Sequence, residues 1–354
     1  FVATATRNSF ALRVAVKLSH TNINISNFIH LPICFYKYIG KLISRFCQVY
    51  LSKGGCFKRE KKVFISACNF IGLLNETKDE WLKFKKKKSI HNFHNYSVKY
   101  RALFAPYELL IDSKLDNACS DIVSVSNDCA NSIKQRFVFR NSNKISFIYN
   151  SLYRNPIGNI KSFVKQKYKI THNSKIILMI GTFEPRKGHE YLINAMVEVF
   201  KAHKHLNLFL IGSGTEEETS YLKSLLISAK WGYRVHFTGF VADISEYMSI
   251  ADVVVIPSQE YESFGLTAIE AMSYGIPIVS TNIGGLPETI GESGYCGFHS
   301  EIEDMSEFSQ NIIRLIQDDT LAKKMGKNGL TRVNELFNPD RMAKEYQALI
   351  QKND

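Results

Sequence analysis

The sequence predicts an α/β protein built from two domains. A chain of 354 residues is longer than one ordinary domain and suits two of typical size. From about residue 175 onward, short apolar segments alternate with amphipathic ones, which indicates β-α-β units around a parallel sheet. Charge is also divided, because residues 1–150 contain 24 Lys and Arg against 9 Asp and Glu, whereas residues 151–354 contain 21 against 24. A basic part and a near-neutral part favour two domains with different ligands.

Composition excludes several other classes of protein. The hydrophobic fraction of 45% and the charged fraction of 22% are ordinary for a globular chain, which excludes disordered and fibrous classes. Seven cysteines form no C-x-x-C pair, which excludes a standard zinc ribbon and favours the reducing cytoplasm over a disulfide scaffold. No apolar run approaches the roughly 18 residues of a membrane-spanning helix. The chain opens at Phe1 without a signal-peptide pattern, so we expect it to be a fragment that lacks its true start.

The predicted elements of the second part alternate regularly. Strands are predicted at 175–181, 206–212, 234–239, 252–258 and 276–281. Helices are predicted between them at 191–203, 216–230, 244–251 and 266–275. After residue 281 the sequence predicts only helices.

The first part is less regular. Strands are predicted at 119–126 and 144–150 on either side of a helix, and another lies within 63–74. The segment 31–50 predicts an amphipathic helix with an apolar face and a basic stripe of Lys37, Lys41 and Arg45. Five lysines follow within 83–89. The change of composition predicts a domain boundary near 151–159.

Open parallel sheets bind their ligands at the carboxyl ends of the strands, and three predicted loops lie at such ends. The first loop, 181–188, carries Arg186 and Lys187 beside a glycine, and two adjacent cations suit a diphosphate. A solvated basic turn is the alternative for this segment. The second loop is Gly212–Gly214, for which a plain tight connection is the alternative.

The third loop, 257–265, runs from a strand through Gly265 into a helix. The N–H groups at that helix start would face an anion. Glu262 and Glu270 could accept hydrogen bonds from sugar or ribose hydroxyls. Their spacing alone carries no weight, because Glu190 and Glu198 show it without a loop. The strand–loop–helix setting is what makes Glu262 and Glu270 candidates.

These segments resemble family four glycosyltransferases, which have the GT-B fold. PSQEYESFGLTAIEAMSYGIPIVSTNIGGLPETI is similar to the donor-site signature of that family, and GTFEPRKGHEYLINAM to its diphosphate loop. The similarity covers about residues 115–350 and includes GFVADISEYMSIADVVVIPS, GYCGFHS and DIVSVSNDCANSIKQRF. It implies two Rossmann-like domains facing across a cleft. The acceptor-side domain would be 1–155, without the family's opening strand, and the donor domain would be 156–338. A helix at 339–354 would cross back to the first domain.

The resemblance also implies roles for individual residues. Glu270 would bind the ribose of the donor and Glu262 the hydroxyls of the transferred sugar, while the nucleotide base would lie near Gly239 and Phe240. Many relatives carry Arg where this chain has Thr182, and Arg186 with Lys187 resembles the variant E-P-R-K form. The full set of implied donor-binding residues is Gly181, Arg186, Lys187, Gly239, Phe240, Glu262, Ser263, Phe264, Gly265, Leu266, Thr267 and Glu270.

The catalytic pair implied by the resemblance is His91 and Glu262. His91 matches the family's strand-end histidine, and an ordinary polar loop residue is the alternative. The implied reaction is transfer of a sugar, with retention, from a nucleoside-diphosphate sugar to a hydroxyl acceptor in the synthesis of cell-surface polysaccharide or glycolipid. Fixed cations at the leaving group predict that neither a metal nor a cofactor is needed. A nucleotide-sugar epimerase and a non-catalytic nucleotide-sugar-binding protein are the alternatives, the second because no glycine-rich acceptor loop is visible.

The expected partners are the nucleotide-sugar donor, a glycan or lipid-linked acceptor, and an anionic membrane surface. The basic helix 31–50 and the lysines of 83–89 would attach the protein to the cytoplasmic face of the membrane, with a merely solvated surface as the alternative. Nucleic acid is not an expected partner, because aromatic residues do not interleave with these lysines in a strand-binding pattern.

Overall fold

The computed structural model describes residues 28–29, 51–52, 65–67, 90–93, 116–117, 119–135, 141–152, 163–227 and 229–352. The chain forms two compact units. Unit 1 consists of Phe1–Ser151 together with Pro339–Asp354, and unit 2 is Leu152–Asn338. The sequence predicts boundaries after residues 155 and 338. The predicted helix at 31–50 and the lysine segment 83–89 lie outside the described residues.

The described part of unit 1 contains a parallel sheet whose strands lie side by side in chain order. These strands are β3 (Ile65–Ala67), β4 (Ile90–Phe93), β5 (Asp121–Ser124) and β6 (Ile145–Phe147). Two shorter strands, β1 (Phe28–Ile29) and β2 (Leu51–Ser52), form a separate antiparallel pair. Helix α1 (Asn127–Lys134) begins at Ser126, whose Oγ accepts a hydrogen bond from the backbone N–H of Cys129 at 3.1 Å.

Unit 2 is built on a parallel sheet of six strands among the described residues. The strands are β7 (Lys175–Ile180), β8 (Leu206–Ile211), β9 (Val235–Gly239), β10 (Val253–Ile256), β11 (Ile278–Thr281) and β12 (Gly297–Ser300). They lie in the order β12-β11-β10-β7-β8-β9. If β7 is numbered 1 and the sheet is read from the β9 edge, the strands follow the 3-2-1-4-5-6 order of a Rossmann sheet. Residues of the central strands, such as Ile177, Leu208 and Val254, are fully buried because helices cover both faces.

The helices of unit 2 precede, connect and follow these strands. They are α2 (Val164–Lys167), α3 (His189–Ala202), α4 (Glu216–Ser224), α5 (Ser245–Met248), α6 (Leu266–Ser273), α7 (Leu286–Ile290), α8 (Met305–Gln317) and α9 (Asp319–Leu336). Helix α3 packs beside α8, and α6 packs beside α9. None of the described helices has the length and apolarity to cross a bilayer.

The last helix, α10 (Pro339–Lys352), belongs to unit 1. Met342 and Tyr346 of this helix pack with Val123 of β5 and with Ile148. Its Arg341 donates a hydrogen bond through Nη2 to the backbone carbonyl oxygen of Tyr149 at 2.7 Å. Two segments that are distant in sequence therefore share one small core.

Two details of the predicted elements were wrong. Helix α4 ends at Ser224, not at residue 230, and a series of turns follows it. Strand β12 lies where only helices were expected. It has four residues and begins at a glycine, so it carries little of the apolar signal that marks a strand. Gly297 is needed there because a side chain would collide with the carbonyl oxygen of Ile278 on β11.

Candidate active site

The strand order of unit 2 opens a crevice at one position of the sheet. Strands β7 and β10 are neighbours, but the chain leaves β7 towards β8 and leaves β10 towards β11. At such a switch point the loops at the carboxyl ends diverge and leave room for a ligand. The first loop follows β7 and the third loop follows β10, so the sheet brings together the two loops that the sequence singled out.

Glycine contacts fix these loops to one another. Gly188 at the end of the first loop has φ +77°, and a Cβ there would collide with the carbonyl oxygen of Pro257 in the third loop. The backbone N–H of Gln259 also donates to the carbonyl oxygen of Arg186 at 2.8 Å. In the same way Gly212 of the second loop lies directly against the carbonyl oxygen of Gly181. The three loops thus form one continuous platform.

The two cations of the first loop have different partners. Arg186 donates from Nε to Oε2 of Glu184 at 2.6 Å, while Glu184 also accepts from the hydroxyl of Thr182 at 2.9 Å. The Nη2 atom of Arg186 is buried and has no hydrogen-bond partner in the described protein. Lys187 instead forms an ion pair with Glu262 of the third loop, and both side chains are mostly buried. The Oγ of Ser258 lies 3.3 Å from the same carboxylate oxygen of Glu262.

A fourth loop, 281–285, holds the backbone of the third loop. The N–H of Gly285 donates to the carbonyl oxygen of Glu262 at 2.8 Å, and Gly284 approaches that oxygen so closely that a Cβ would collide with it. The hydroxyl of Thr281 donates to the carbonyl oxygen of Ser258 at 2.6 Å. The donor-site signature includes this loop, but none of its residues was given a role. The Gly284-Gly285 pair, shortly after a strand, was the signal that could have singled it out.

Helix α6 starts at the end of the third loop. Its N-cap, Gly265, has φ +89° and offers no side chain to the first N–H groups of the helix. No acidic residue lies in the first turn, so the positive end of the helix dipole is not neutralised within the helix. Leu266 is exposed at this start, whereas Ser263, Thr267 and Glu270 are half-buried. Phe264 is buried and packs edge-on against Phe337.

Gly239 and Phe240 lie at the carboxyl end of β9. Gly239 has φ +71°, and its carbonyl oxygen accepts a hydrogen bond from the N–H of Gly212 in the second loop at 3.0 Å. The ring of Phe240 is 54% exposed. This pair therefore borders the platform on the side of β8 and β9.

Comparison with known proteins agrees with this geometry. The sequence model of the family described as Glycosyl transferases group 1 matches residues 161–332. Residues 161–332 form a group 1 glycosyltransferase domain. The family resemblance expected from the sequence is thereby confirmed. All four loops of this glycosyltransferase domain lie within the matched residues, whereas His91 lies outside them.

Individual relatives have low sequence identity to this chain. N-acetyl-alpha-D-glucosaminyl L-malate synthase of Bacillus anthracis is 29% identical over 52% of this chain and 48% of its own length. Spore coat protein SA of Bacillus subtilis is 26% identical over 85% of this chain and 81% of its own. The chain thus spans about half the length of the first of these relatives.

Solved structures of low sequence identity share the fold. HepE of Anabaena, in complex with UDP and glucose, has a TM-score of 0.67 at 21% identity, covering 75% of this chain and 72% of its own. A glycosyltransferase of Rickettsia africae has a TM-score of 0.67 at 22% identity, covering 82% of this chain and 76% of its own. These similarities confirm the GT-B fold class.

One buried residue of the glycosyltransferase domain was missed by sequence analysis. His189, the first residue of α3, is 2% exposed, and neither ring nitrogen has a hydrogen-bond partner in the described protein. Burial, with a smaller contribution from the charge of Lys187, lowers the pKa of His189 to about 4. Its ring packs edge-on against Phe183 of the first loop, with 4.9 Å between the ring centres. A neutral imidazole therefore lies beneath the first loop.

The predicted catalytic pair is divided between the two units. Glu262 belongs to the platform of unit 2, whereas His91 lies in β4 of unit 1, in register with Ser66 and Ile122. The role of His91 stays a prediction. Among the described residues, no group of three or more His, Cys, Asp and Glu side chains could hold a metal ion.

Proposed function

We propose that the chain transfers a sugar from a nucleoside-diphosphate sugar to a hydroxyl acceptor, with retention of configuration. The observation that carries this proposal is the contact between Lys187 and Glu262. A cation suited to a phosphate and a carboxylate suited to sugar hydroxyls adjoin in one crevice. In a nucleotide sugar the sugar is bonded directly to the terminal phosphate, so its two binding sites must adjoin in this way.

The platform would act chiefly on the leaving group. In the reaction the bond between the anomeric carbon and the diphosphate oxygen breaks, and a bond to the acceptor oxygen forms. The acceptor proton ends on the departing diphosphate. Negative charge grows on that diphosphate in the transition state, and Arg186, Lys187 and the N–H groups at the start of α6 would stabilise it. Glu262 would hold the sugar hydroxyls, with its carboxylate oriented by Lys187 and Ser258.

The remaining parts of the donor would lie along the platform. Glu270 on α6 would accept hydrogen bonds from the ribose, and the exposed ring of Phe240 would contact the base beside Gly239. Gly181, Ser263, Phe264, Gly265, Leu266 and Thr267 would line the diphosphate. His91 would face the reacting carbon. We propose no metal and no cofactor, since the cations of the first loop supply the charge.

The acceptor and the place of work are also part of the proposal. We propose a glycan or a lipid-linked hydroxyl as acceptor, at the cytoplasmic face of a membrane, in the synthesis of polysaccharide or glycolipid. The basic first part supports this location, since residues 1–150 carry 24 Lys and Arg against 9 Asp and Glu. Binding of a nucleotide sugar without turnover on any acceptor would instead identify a non-catalytic binding protein.

Nucleotide binding by a Glu270 variant tests the donor site. UDP is the probe, because HepE, a structural neighbour, was solved with it. We expect Glu270→Ala to weaken UDP binding, measured by calorimetry, by roughly 1–3 kcal/mol, the range for a lost hydrogen bond to a charged group. The matched control is Glu198→Ala, which removes an exposed carboxylate from α3 in the other E-x7-E pair. Equal UDP affinity in the two folded variants would overturn the assignment of Glu270.

A further inference from the structure

A basic and aromatic surface lies on unit 2 away from the loops of the proposed donor site. It is formed by the end of α3 and by the turns between α4 and β9. We call it the basic-aromatic patch and define it by Lys201, Lys204, Ile227, Lys230 and Tyr233, all of which are exposed. The proposed function uses none of these residues.

Contacts of Arg234 make the patch continuous. Its guanidinium lies 4.3 Å from the ring centre of Phe200 at the end of α3 and 5.8 Å from that of Tyr233. It also donates through Nη1 to the carbonyl oxygen of Lys204 at 2.9 Å. Trp231 stacks on the same Phe200 ring at 4.7 Å. The segments around residues 200–204 and 231–234 are therefore held together as one surface.

The patch exposes apolar side chains of a kind that folded proteins normally bury. Ile227 is 85% exposed and Tyr233 is 78% exposed, the two largest values among the described large hydrophobic residues. Both side chains protrude beyond a well-packed layer, in which Leu222 is buried and Leu226 and Trp231 cover the core. Single exposed apolar residues are common, but here they occur with a high local density of cations.

Cations predominate around the patch. Residues 199–242 contain five Lys and Arg residues, and their three acidic residues, 216–218, lie in the first turn of α4, at the other end of that helix from Ile227. By contrast, residues 151–354 as a whole contain more acidic than basic residues. Glu198 on the preceding turn of α3 pairs with Lys201 at 2.8 Å, and this is the one carboxylate that an ion pair brings to the patch among the described residues. The surface therefore complements an anionic partner.

The patch lies at the edge of the sheet opposite the four loops. Lys204 precedes β8 and Tyr233 precedes β9, so both are at the amino-terminal ends of strands. The loops of the proposed donor site are at the carboxyl ends. A large partner could therefore cover the patch without covering the loops of unit 2.

We infer that the basic-aromatic patch binds an anionic lipid surface. Ile227 and Tyr233 would enter the region between headgroups and acyl chains, where tyrosine is favoured because one end of its ring is polar. Lys201, Lys204 and Lys230 would contact anionic headgroups with extended side chains. A lipid surface fits these observations, because two strongly exposed apolar side chains stand among cations. This inference does not depend on the proposed transferase activity.

Hydrogen exchange on the full chain tests the inference. The probes are vesicles of phosphatidylcholine alone and of equimolar phosphatidylcholine and phosphatidylglycerol. Anionic vesicles should protect the backbone amides of residues 225–234, and the protection should disappear at high salt. Peptides from α9 should show no such change. Absence of protection at 225–234 would overturn the inference. Protection by soluble polyglutamate but not by vesicles would also overturn it, because the patch would then be a site for acidic polypeptides.

A matched pair of variants separates the effect of the patch on vesicle binding from the effect of net charge. The patch variant carries Lys201→Gln, Lys204→Gln and Lys230→Gln, and the control carries Lys323→Gln, Lys324→Gln and Lys327→Gln on the exposed face of α9. Each lysine near an anionic surface contributes about fivefold in binding, so the patch variant should lose about 100-fold in vesicle partitioning. The control should lose far less. Equal partitioning of the two variants would show that the patch does not contact lipid.

Discussion

His189 is a polar residue in an apolar environment, and this gives the stability of unit 2 a particular pH dependence. In the unfolded chain its imidazole has the ordinary pKa of 6.5, whereas burial in the folded protein lowers the pKa to about 4. Between these values the unfolded state binds more protons, so the free energy of unfolding decreases as the pH falls from 6.5 to 4. The full loss from this group is about 3 kcal/mol.

Replacing the imidazole tests this dependence. We expect His189→Leu to remove two unpaired buried nitrogens and to flatten the pH dependence of stability measured by urea unfolding at pH 7.5 and pH 5. The exposed His205→Gln serves as control and should keep the wild-type dependence. Burial also lowers the pKa values of His236 and His299, so a reduced slope, not a zero slope, is expected. An unchanged difference between the two pH values in His189→Leu would contradict the assignment.

For single residues, the sequence predicts which residue types form the site better than it predicts which residues contact one another. Arg186, Lys187 and Glu262 could be chosen because cations beside a glycine and a carboxylate before a helix start are recognisable patterns. The ion pair between Lys187 and Glu262 could not be predicted from spacing, because it joins residues 75 positions apart. It depends on β7 and β10 lying side by side. His189 gave no signal, since a histidine at a helix start looks the same whether it is buried or exposed.

At the scale of elements, the candidate site depends on how closely the loops approach one another. We expect Gly188→Ala to push the first loop away from the third, because the new Cβ would meet the carbonyl oxygen of Pro257. The positive φ of +77° at this position costs an alanine a further 1–3 kcal/mol, roughly, in stability. The displaced loop carries Arg186 and Lys187, so UDP binding should weaken as well. Thermal unfolding and calorimetry measure the two effects.

Gly294→Ala is the matched control for this substitution. Gly294 also has a positive φ, +96°, but nothing lies within 4 Å of a Cβ at that position. It should therefore lose stability through backbone strain alone and keep its affinity for UDP. If both alanine variants bound UDP like the wild type, the contact between the two loops would have no part in the site.

The four central strands of unit 2, β7, β8, β10 and β11, were predictable because they are mostly buried and read as largely apolar runs. Strand β12 was missed because its four residues include Gly297 and His299, which break such a run. His299 is satisfied locally, since its ring nitrogens lie 2.7 Å from the Ser280 hydroxyl and 2.8 Å from the carbonyl oxygen of Gly291. Pairing with β11 and these hydrogen bonds outweigh a weak local preference.

For the whole molecule, the change in composition along the sequence predicts two parts. That the last helix of the chain packs on unit 1 is seen only in the tertiary structure. The apolar positions of α10 show that one face is buried, and do not show against which surface. The structure supplies the answer, because Met342 and Tyr346 lie in a core with Val123 and Ile148. The resemblance to family four glycosyltransferases was what implied such a helix.

The contribution of α10 can be measured in the two units separately. Tyr346 is buried, and deleting a large buried aromatic side chain costs about 3–5 kcal/mol. Because Tyr346 packs with Val123 next to the centre of β5, Tyr346→Ala should accelerate hydrogen exchange of residues 121–124. Exchange of residues 175–180 in unit 2 should stay at the wild-type rate, and Lys344→Ala on the exposed face of α10 should change neither. Equal acceleration of both strands would mean that the two units unfold as one cooperative body, whereas no acceleration in either would mean that α10 does not stabilise unit 1.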